Sequence, residues 1–265
     1  MYWQKRFNRK NTNEALELEI QEIFTNNNGN YGYRRIVAEL KNRGKIVNHK
    51  KVQRIKKKLD LQSLKFKRKS RKYSSYKGNV GVVTRNLINR RFKTSVPHQK
   101  IVTDTTEFKY YEKNSTGTMV IKKAYLDLFL DMYNSEVISF RLSERPNAIA
   151  ISEALNEAIK QTDDCKYRRT FHSDQGWAYQ MKSYVTCLKN AKIFQSMSRK
   201  GNCLDNSVME NFFGIMKQEM YYGMVYESYS SLKSAIEKYI FYYNTKRIKT
   251  KLGCSPLQYR LGNVA

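Results

Sequence analysis

The chain has few cysteines and histidines and no long apolar run. Its 265 residues include 4 cysteines and 3 histidines. No Cys-x-x-Cys pair occurs, so we interpret the cysteines as reduced core residues and exclude a structural zinc site. No apolar stretch approaches the roughly 20 residues of a spanning helix, and the basic N-terminus lacks the apolar segment of a signal peptide. These absences favour a cytoplasmic protein with no membrane partner.

Acidic residues are also scarce, and the basic excess is uneven. The chain has 50 Lys and Arg against 23 Asp and Glu, a net charge of +27. Residues 1–100 contain 27 basic and 6 acidic residues, whereas residues 101–265 contain 23 and 17. The front of the chain is therefore the part expected to face a polyanion. A ribosomal protein, a membrane-surface binder and a solvated charge run are the alternatives.

Three short helices are predicted in the front of the chain. Apolar residues recur at helical spacing from Asn13 to Asn27, from Tyr33 to Arg43, and after Asn48, which can cap the third helix. The pattern indicates either a helix-turn-helix whose last helix lies in a DNA groove or a small bundle with a solvated lysine face. The basic residues of that last helix are Lys50, Lys51, Arg54, Lys57 and Lys58.

Residues 61–98 combine crowded basic side chains with aromatic rings. Such a segment can follow a phosphate backbone by charge and offer its rings for stacking. A disordered basic tether is the alternative. The residues concerned are Lys65, Phe66, Lys67, Arg68, Lys69, Arg71, Lys72, Tyr73 and Tyr76.

The second part of the chain predicts an α/β fold. Strand patterns at 101–108, 119–132 and 136–142 indicate an antiparallel meander. Helix and strand patterns then alternate, and two long helical patterns follow near 205–222 and 230–247. We therefore predict a mixed five-stranded sheet flanked by helices, preceded by a small all-α domain. The predicted divisions are a helix-turn-helix-like domain at 1–60, a basic linker at 61–98, a core at 99–222 and a C-terminal helical extension at 223–265.

Three acidic residues occupy contexts typical of metal-dependent phosphoryl transfer. Asp104 lies in a strand pattern, where an inward carboxylate is costly to desolvate and needs a cation. Asp174 ends a short strand, where α/β ligand sites collect. Glu210 lies on a helix with Lys217 on the same side. Carboxylates can hold two magnesium ions about 4 Å apart, which stabilise the entering and leaving oxygens of a phosphodiester.

Several neighbouring residues have two interpretations. Lys217 either grips a DNA phosphate or is merely solvated. His172 shares strand parity with Asp174, so it points at the same site or packs within the strand. Asp127 and Asp131 also lie in a strand pattern and are the acids most easily mistaken for site residues. Their pattern lacks the glycine-containing strand edge seen at Asp174. Another acid, Asp205, is expected to cap the helix that carries Glu210.

Five motif blocks follow one another, and 35 residues separate Asp174 from Glu210. The ordered series resembles the insertion-element transposases of the IS3 family, specifically their OrfB product, and the spacing resembles that family's Asp-Asp-35-Glu signature. The family usually has Trp where this chain has Ile101, so we expect altered packing with retained metal ligation. The blocks are residues 31–36 (Tyr-Gly-Tyr-Arg-Arg-Ile), 102–108 (Val-Thr-Asp-Thr-Thr-Glu-Phe), 172–176 (His-Ser-Asp-Gln-Gly), 196–217 and 243–259.

The resemblance implies an RNase H-like core, similar to that of retroviral integrases. In it, the strands of Asp104 and Asp174 are neighbours and the Glu210 helix packs across the sheet. It implies that these three acids hold two Mg²⁺ ions, which Mn²⁺ can replace, and that water nicks a strand before the freed 3′-hydroxyl attacks another phosphodiester. The further residues expected to contact DNA are Lys217, His172, Arg199, Lys200, Arg34 and Arg35, beside the basic residues of the third helix.

The resemblance also implies partners. These are DNA, both terminal inverted repeats and target, further copies of the chain on that DNA, and the upstream OrfA product, separate or fused as OrfAB. The expected location is the bacterial cytoplasm, on the nucleoid. Two other functions stay open: a DNA-binding regulator or domesticated remnant with an inactive core, and a structure-selective nuclease of the same fold. A retroviral integrase proper is disfavoured, because its His-His-Cys-Cys zinc module cannot be built from the residues present.

Overall fold

The computed structural model describes residues 11–63, 83–200 and 202–262. The crowded basic part of the predicted linker, residues 64–82, lies outside the described residues. Three helices form the front as predicted, and Asn48 caps the third by accepting a hydrogen bond from the Lys50 backbone N–H at 2.8 Å. Gly44, with a φ of +78°, follows the second helix and ends it. The helices are α1 (Glu14–Asn26), α2 (Tyr33–Asn42) and α3 (His49–Lys58).

A mixed sheet forms the centre of the second part of the chain. Its strands are β1 (Lys100–Lys113), β2 (Met119–Asp131), β3 (Val137–Ser143), β4 (Thr170–Ser173) and β5 (Phe194–Met197). Within the described residues the strand order is β3-β2-β1-β4-β5. The first three strands pair antiparallel, which confirms the predicted meander, and β4 pairs parallel with both β1 and β5. The predicted α/β fold is confirmed.

Helices cover both faces of this sheet. Side chains alternate along a strand, so β1 supplies both layers: Ile101 packs in the core with α4 and α5, while Val102 packs in the core with α6 and α7. Asp104 has the parity of Val102 and therefore lies on the α6 face. A 3₁₀ turn, Cys203–Asn206, leads into α6. The helices are α4 (Ala148–Gln161), α5 (Lys182–Asn190), α6 (Ser207–Met220), α7 (Tyr229–Thr245) and α8 (Pro256–Arg260).

The segment that follows α7 contacts the front helices. Ile248 is buried in the same apolar core as Ile20, Ile36 and Val52 of α1, α2 and α3. The backbone N–H of Ile248 donates a hydrogen bond to the Tyr31 hydroxyl at 2.8 Å. The front helices therefore complete their core with a segment from the far end of the chain, which ties them to the sheet domain.

Two further facts bear on the class of protein. No helix in the described ranges is both long and apolar enough to cross a membrane. Cys165, Cys187 and Cys254 are free, and Cys254 is buried whereas the other two are half-buried. We therefore correct the expectation that the cysteines are all core residues: Cys165 and Cys187 sit at the edge of the packed interior.

Candidate active site

The three candidate acids come from β1, from the end of β4 and from the first turn of α6. Val102 pairs with His172 across the parallel strands. Asp104 and Asp174 each lie two residues farther along, Asp104 within β1 and Asp174 just after β4, so they stand at the same level on neighbouring chain segments. Glu210 stands in the first turn of α6, whose apolar side packs against the face of the sheet to which Asp104 belongs.

The carboxylates influence one another electrostatically. Burial raises the pKa of Asp104 well above its ordinary value, and the charges of Asp174 and Glu210 raise that pKa further. Burial also raises the pKa of Asp174 and of Glu210. Each effect disfavours a carboxylate without a nearby cation. The three acids therefore share one neighbourhood that a cation would stabilise.

Backbone and amide donors hold the two aspartates. The Asp104 carboxylate accepts hydrogen bonds from the Thr105 backbone N–H at 2.8 Å and from Asn206 Nδ2 at 2.9 Å. Asp174 Oδ1 accepts from the Gly176 backbone N–H at 2.8 Å. A Cβ at position 176 would lie 2.9 Å from that same oxygen. This contact explains the glycine at position 176, because a side chain there would displace the Asp174 carboxylate.

The donor set suits a hard divalent cation. Asp104 and Asp174 are half-buried, and Glu210 is exposed on its helix. Across the described ranges, no three acidic, histidine or cysteine side chains stand close enough to form a ready-made metal site. Nevertheless, three carboxylates of one neighbourhood are the oxygen ligands that magnesium prefers. The buried Oδ1 of Asn206 also has no hydrogen-bond partner among the described residues, so the site has an unsatisfied polar atom beside its acids.

His172 packs inside the protein. Its side chain is 0% exposed. Its Nδ1 forms a hydrogen bond with Ser196 Oγ at 2.8 Å, and its Nε2 with the Asp205 backbone oxygen at 3.0 Å. The structure therefore contradicts the predicted DNA contact, and the alternative interpretation of a packed strand histidine is correct.

Lys217 is also turned inward, whereas Arg35 is half-buried. The buried Lys217 ammonium donates hydrogen bonds to Thr106 Oγ1 at 2.6 Å and to the Glu107 backbone oxygen at 2.8 Å. Arg35 forms an ion pair with Glu219 at 3.4 Å. The predicted DNA contact of Lys217 is wrong in this structure, because β1 occupies its ammonium. The DNA contact of the half-buried Arg35 stays a prediction. Helical spacing places a residue on a side of the helix but does not say which side packs.

Other expected DNA contacts lie on the surface and stay predictions. Arg199 is exposed, although Asp205 binds its guanidinium. Lys58 is exposed and forms an ion pair with Glu17 at 2.7 Å, and Lys51 is half-buried. The remaining exposed residues of this group are Arg34, Lys50, Arg54, Lys57 and Lys200.

Asp205 has a different role from the one predicted. It lies in the turn before α6 and does not cap the helix. Its carboxylate is 1% exposed and accepts hydrogen bonds from Arg199, Arg90 and Asn86 at 2.9–3.1 Å. The bonds from Arg199 are the main cause that lowers the Asp205 pKa. Sequence reasoning missed this cluster, since its donors come partly from a segment more than a hundred residues away.

Asp127 and Asp131 lie outside the candidate site. Thr105 Oγ1 donates to Asp127, and Thr105 pairs with that residue across the two strands, on the opposite face from Asp104. Burial raises the pKa of Asp127 to about 6. Asp131 accepts hydrogen bonds from the backbone N–H groups of His98 and Tyr133 at 2.8 and 2.9 Å. Asp127 therefore contacts the neighbouring strand β1, and Asp131 binds two backbone donors at the end of β2.

Comparisons with known proteins match nearly the whole chain. An HTH-like domain model matches residues 10–70, and integrase core domain models match residues 95–203 and 210–263. The chain is 44% identical over 246 residues to the putative transposase InsK for insertion sequence element IS150 of Escherichia coli (strain K12), covering 92% of this chain and 82% of that protein. It is 45% identical over 215 residues to an uncharacterized transposase-like protein of Haemophilus influenzae, covering 81% and 93%.

A solved structure has the same fold. The cryo-EM structure of a simian T-cell lymphotropic virus intasome, in complex with PP2A regulatory subunit B56 gamma, contains a chain that aligns with a TM-score of 0.50. The alignment covers 80% of this chain and 66% of that chain at 15% identity. At this identity the likeness concerns the fold alone, and the predicted RNase H-like architecture is confirmed.

Proposed function

The chain belongs to the IS3 family of insertion-sequence transposases, and on that premise we propose that it nicks and joins DNA strands at insertion-element ends by two-metal phosphoryl transfer. The observation that carries the proposal is the placement of Asp104 and Asp174, each two residues beyond the Val102–His172 pair of neighbouring parallel strands. The charge of Glu210, from the helix packed across them, contributes to the raised pKa of Asp104.

Asp104, Asp174 and Glu210 are the proposed ligands of two magnesium ions, or of manganese in their place. Bound there, the ions supply positive charge to the entering and leaving oxygens of the phosphodiester. The chain's own contribution is orientation. The Gly176 backbone N–H and the Asn206 amide each hold one aspartate by a hydrogen bond.

The proposed reaction has two displacements at phosphorus. In the first, a water oxygen forms a bond to a phosphorus at the element end while the bond to the 3′ oxygen breaks, which leaves a free 3′-hydroxyl. In the second, that hydroxyl attacks a phosphorus of the target strand and expels another 3′ oxygen. One P–O bond forms and one breaks in each step, so no oxidant or energy carrier is needed.

The front helices are the proposed DNA-binding unit. The exposed side of α3 carries Lys50, Arg54 and Lys57, and cations arranged in this way contact backbone phosphates. We retain the division into residues 1–60, 61–98, 99–222 and 223–265 as a proposal. We also propose that the chain acts in the bacterial cytoplasm as a homo-oligomer on inverted-repeat and target DNA, with the OrfA product as a partner.

The direct test is incubation with DNA that ends in the element's inverted repeat, in the presence of magnesium. The parent protein should yield both nicked and joined strands. Asp104→Asn, Asp174→Asn and Glu210→Gln should each abolish both products while DNA binding persists, because each change removes a ligand charge. Asp127→Asn is the matched control, since it neutralises a buried acid of the adjacent strand on the other face, and it should leave both products.

The outcomes separate the alternatives. Nicked strands without joined ones would indicate a structure-selective nuclease. DNA binding without either product, in the presence of the OrfA product as well, would indicate a regulator with an inactive core. Cleavage by any of the three triad variants would refute the assignment of the acids.

A further inference from the structure

Two buried polar residues, Asp205 and Asn206, stand immediately before α6. We propose that Asn206 is a positioning residue for the Asp104 carboxylate, and that Asp205 anchors Asn206. The inference rests on the proposed function, because it assigns the pair a role in preparing Asp104 for a divalent cation. In this proposal the turn before α6, which contains no metal ligand, orients one of the three acids that hold the cation.

Asp205 fixes the turn through its side chain and its backbone. The carboxylate accepts five hydrogen bonds, three of them from Arg199 and the others from Arg90 and Asn86. The backbone oxygen of Asp205 accepts from His172 Nε2 at 3.0 Å when that nitrogen carries the proton. His172 belongs to β4, two residues before Asp174. The turn is therefore tied to the strand that carries the second aspartate.

Asn206 extends from this fixed turn to the first aspartate. The side chain is 6% exposed, and its Nδ2 donates to Asp104 Oδ2 at 2.9 Å. The other oxygen of that carboxylate accepts from the Thr105 backbone N–H at 2.8 Å. Each carboxylate oxygen has two lone pairs, so one donor per oxygen fixes the plane of the group and leaves lone pairs for a cation.

The contact is not a by-product of helix capping. Asn206 is the N-cap residue of α6, and asparagine is among the preferred N-cap residues because its side chain can accept from the helix N-terminus. Here the Asn206 side chain makes no capping hydrogen bond. Its Oδ1 is buried and has no partner in the described parts of the chain. The amide therefore makes no capping contact and donates to Asp104 instead.

Cation affinity is the property that the proposed role should change. Outer donors that orient a metal ligand typically change metal affinity by 10–100-fold when removed. Titration calorimetry of the full chain with Mn²⁺, without DNA, measures this affinity independently of turnover. Asn206→Ala should weaken Mn²⁺ binding by about 10–100-fold. Asn211→Ala, at an exposed position of the same helix, should bind Mn²⁺ like the parent.

A second variant separates positioning from folding. Asn206→Leu keeps the branched arrangement of side-chain heavy atoms and removes the donor together with the unsatisfied oxygen. A cooperative melting transition establishes that this variant is folded. Its Mn²⁺ affinity should nevertheless fall as in the alanine variant. Parent-like Mn²⁺ affinity in folded Asn206→Leu would overturn the positioning role. So would a lower melting temperature with unchanged affinity, which would indicate a purely structural side chain.

The parent protein and Asp104→Asn complete the experiment. The parent should bind Mn²⁺, and Asp104→Asn should lose most of that binding. If the parent binds no Mn²⁺, or if Asp104→Asn binds like the parent, the proposed metal site fails and the role of Asn206 fails with it. If those two behave as expected and only the Asn206 variants are unaffected, the proposed function stands and this inference alone is wrong.

Discussion

The pKa of each buried acid in this protein depends on the hydrogen-bond donors and charges around it. Asp205 is 1% exposed, yet its pKa is lowered, because Arg199 and other donors compensate its burial. Asp127 is 5% exposed, with a single hydroxyl donor, and burial raises its pKa to about 6. Asp104 has a raised pKa because burial and two neighbouring acids act in the same direction. Equal burial therefore gives opposite shifts according to the local donors.

Asp127 gives a pH-dependent stability prediction. Its folded-state pKa of about 6 lies above the ordinary 3.8, so its contribution to stability is present below pH 4 and is lost as the pH rises through 6. Asp127→Asn has no such loss. The difference in unfolding free energy, variant minus parent, should therefore grow with pH by up to about 3 kcal/mol between pH 4 and pH 8. Urea unfolding at both ends measures it, and a pH-independent difference would contradict the shift.

The direction in which individual side chains point could not be predicted from the sequence. Periodicity places Lys217 on the Glu210 side of its helix, but only the packed structure reveals that its ammonium reaches Thr106 and Glu107. Strand parity likewise brings His172 to the face of Asp174 without showing that two partners enclose its ring. Such directions depend on which elements pack together, and that information is not local.

At the level of elements, periodicity predicted well. The strand meander, the neighbouring strands of the two aspartates and the helix across the sheet all follow from alternation, helical spacing and the family resemblance. The short helix α8 and the turn before α6 were missed, because segments of four or five residues are too short for a periodic pattern. The Asp205 cluster was missed for another reason: Asn86 and Arg90 reach it from a distant segment.

The turn after β4 offers a test of element geometry. A Cβ at Gly176 would meet Asp174 Oδ1 at 2.9 Å, so Gly176→Ala should displace the aspartate and lower the nicking rate by at least about tenfold, because metal-bound geometry is sensitive to small displacements. Gly214→Ala on α6 is the control, since nothing lies within 4 Å of that position. Helix propensity predicts that it stabilises the fold by about 0.5–1 kcal/mol. Equal nicking rates for the two variants would contradict this account.

At the scale of the whole molecule, one buried ion-pair cluster joins the front helices to the sheet domain. Glu219, on the same helix as Glu210, binds Arg247 through two hydrogen bonds of 2.6 Å and pairs with Arg35 of α2 at 3.4 Å. Tyr239 of α7 donates to the same carboxylate at 3.0 Å. The helix that carries a proposed metal ligand is therefore connected directly to the proposed DNA-binding unit.

The cluster predicts coupled stability. Glu219→Gln leaves the Arg247 charge, 2% exposed, without its partner, which typically costs about 3–5 kcal/mol. Denaturant unfolding should show a lower midpoint. Glu237→Gln is the control, because Glu237 forms an exposed pair with Lys233 at 4.0 Å, and such pairs contribute about 0–1 kcal/mol. A small loss for Glu219→Gln, similar to the control, would contradict a stabilising role of the cluster.

The exposed cations of the front helices and the three candidate acids lie in different regions of the molecule. The front carries exposed cations that suit phosphates, and the three candidate acids lie in the sheet domain on β1, after β4 and on α6. The central claim is that Asp104, Asp174 and Glu210 form one divalent-cation site. Anomalous diffraction from crystals soaked in Mn²⁺ tests this claim most directly. The account predicts manganese bound by oxygens of all three residues, with the Glu210 side chain turned toward the aspartates. Manganese bound elsewhere, or none at these acids under saturating Mn²⁺, would contradict it.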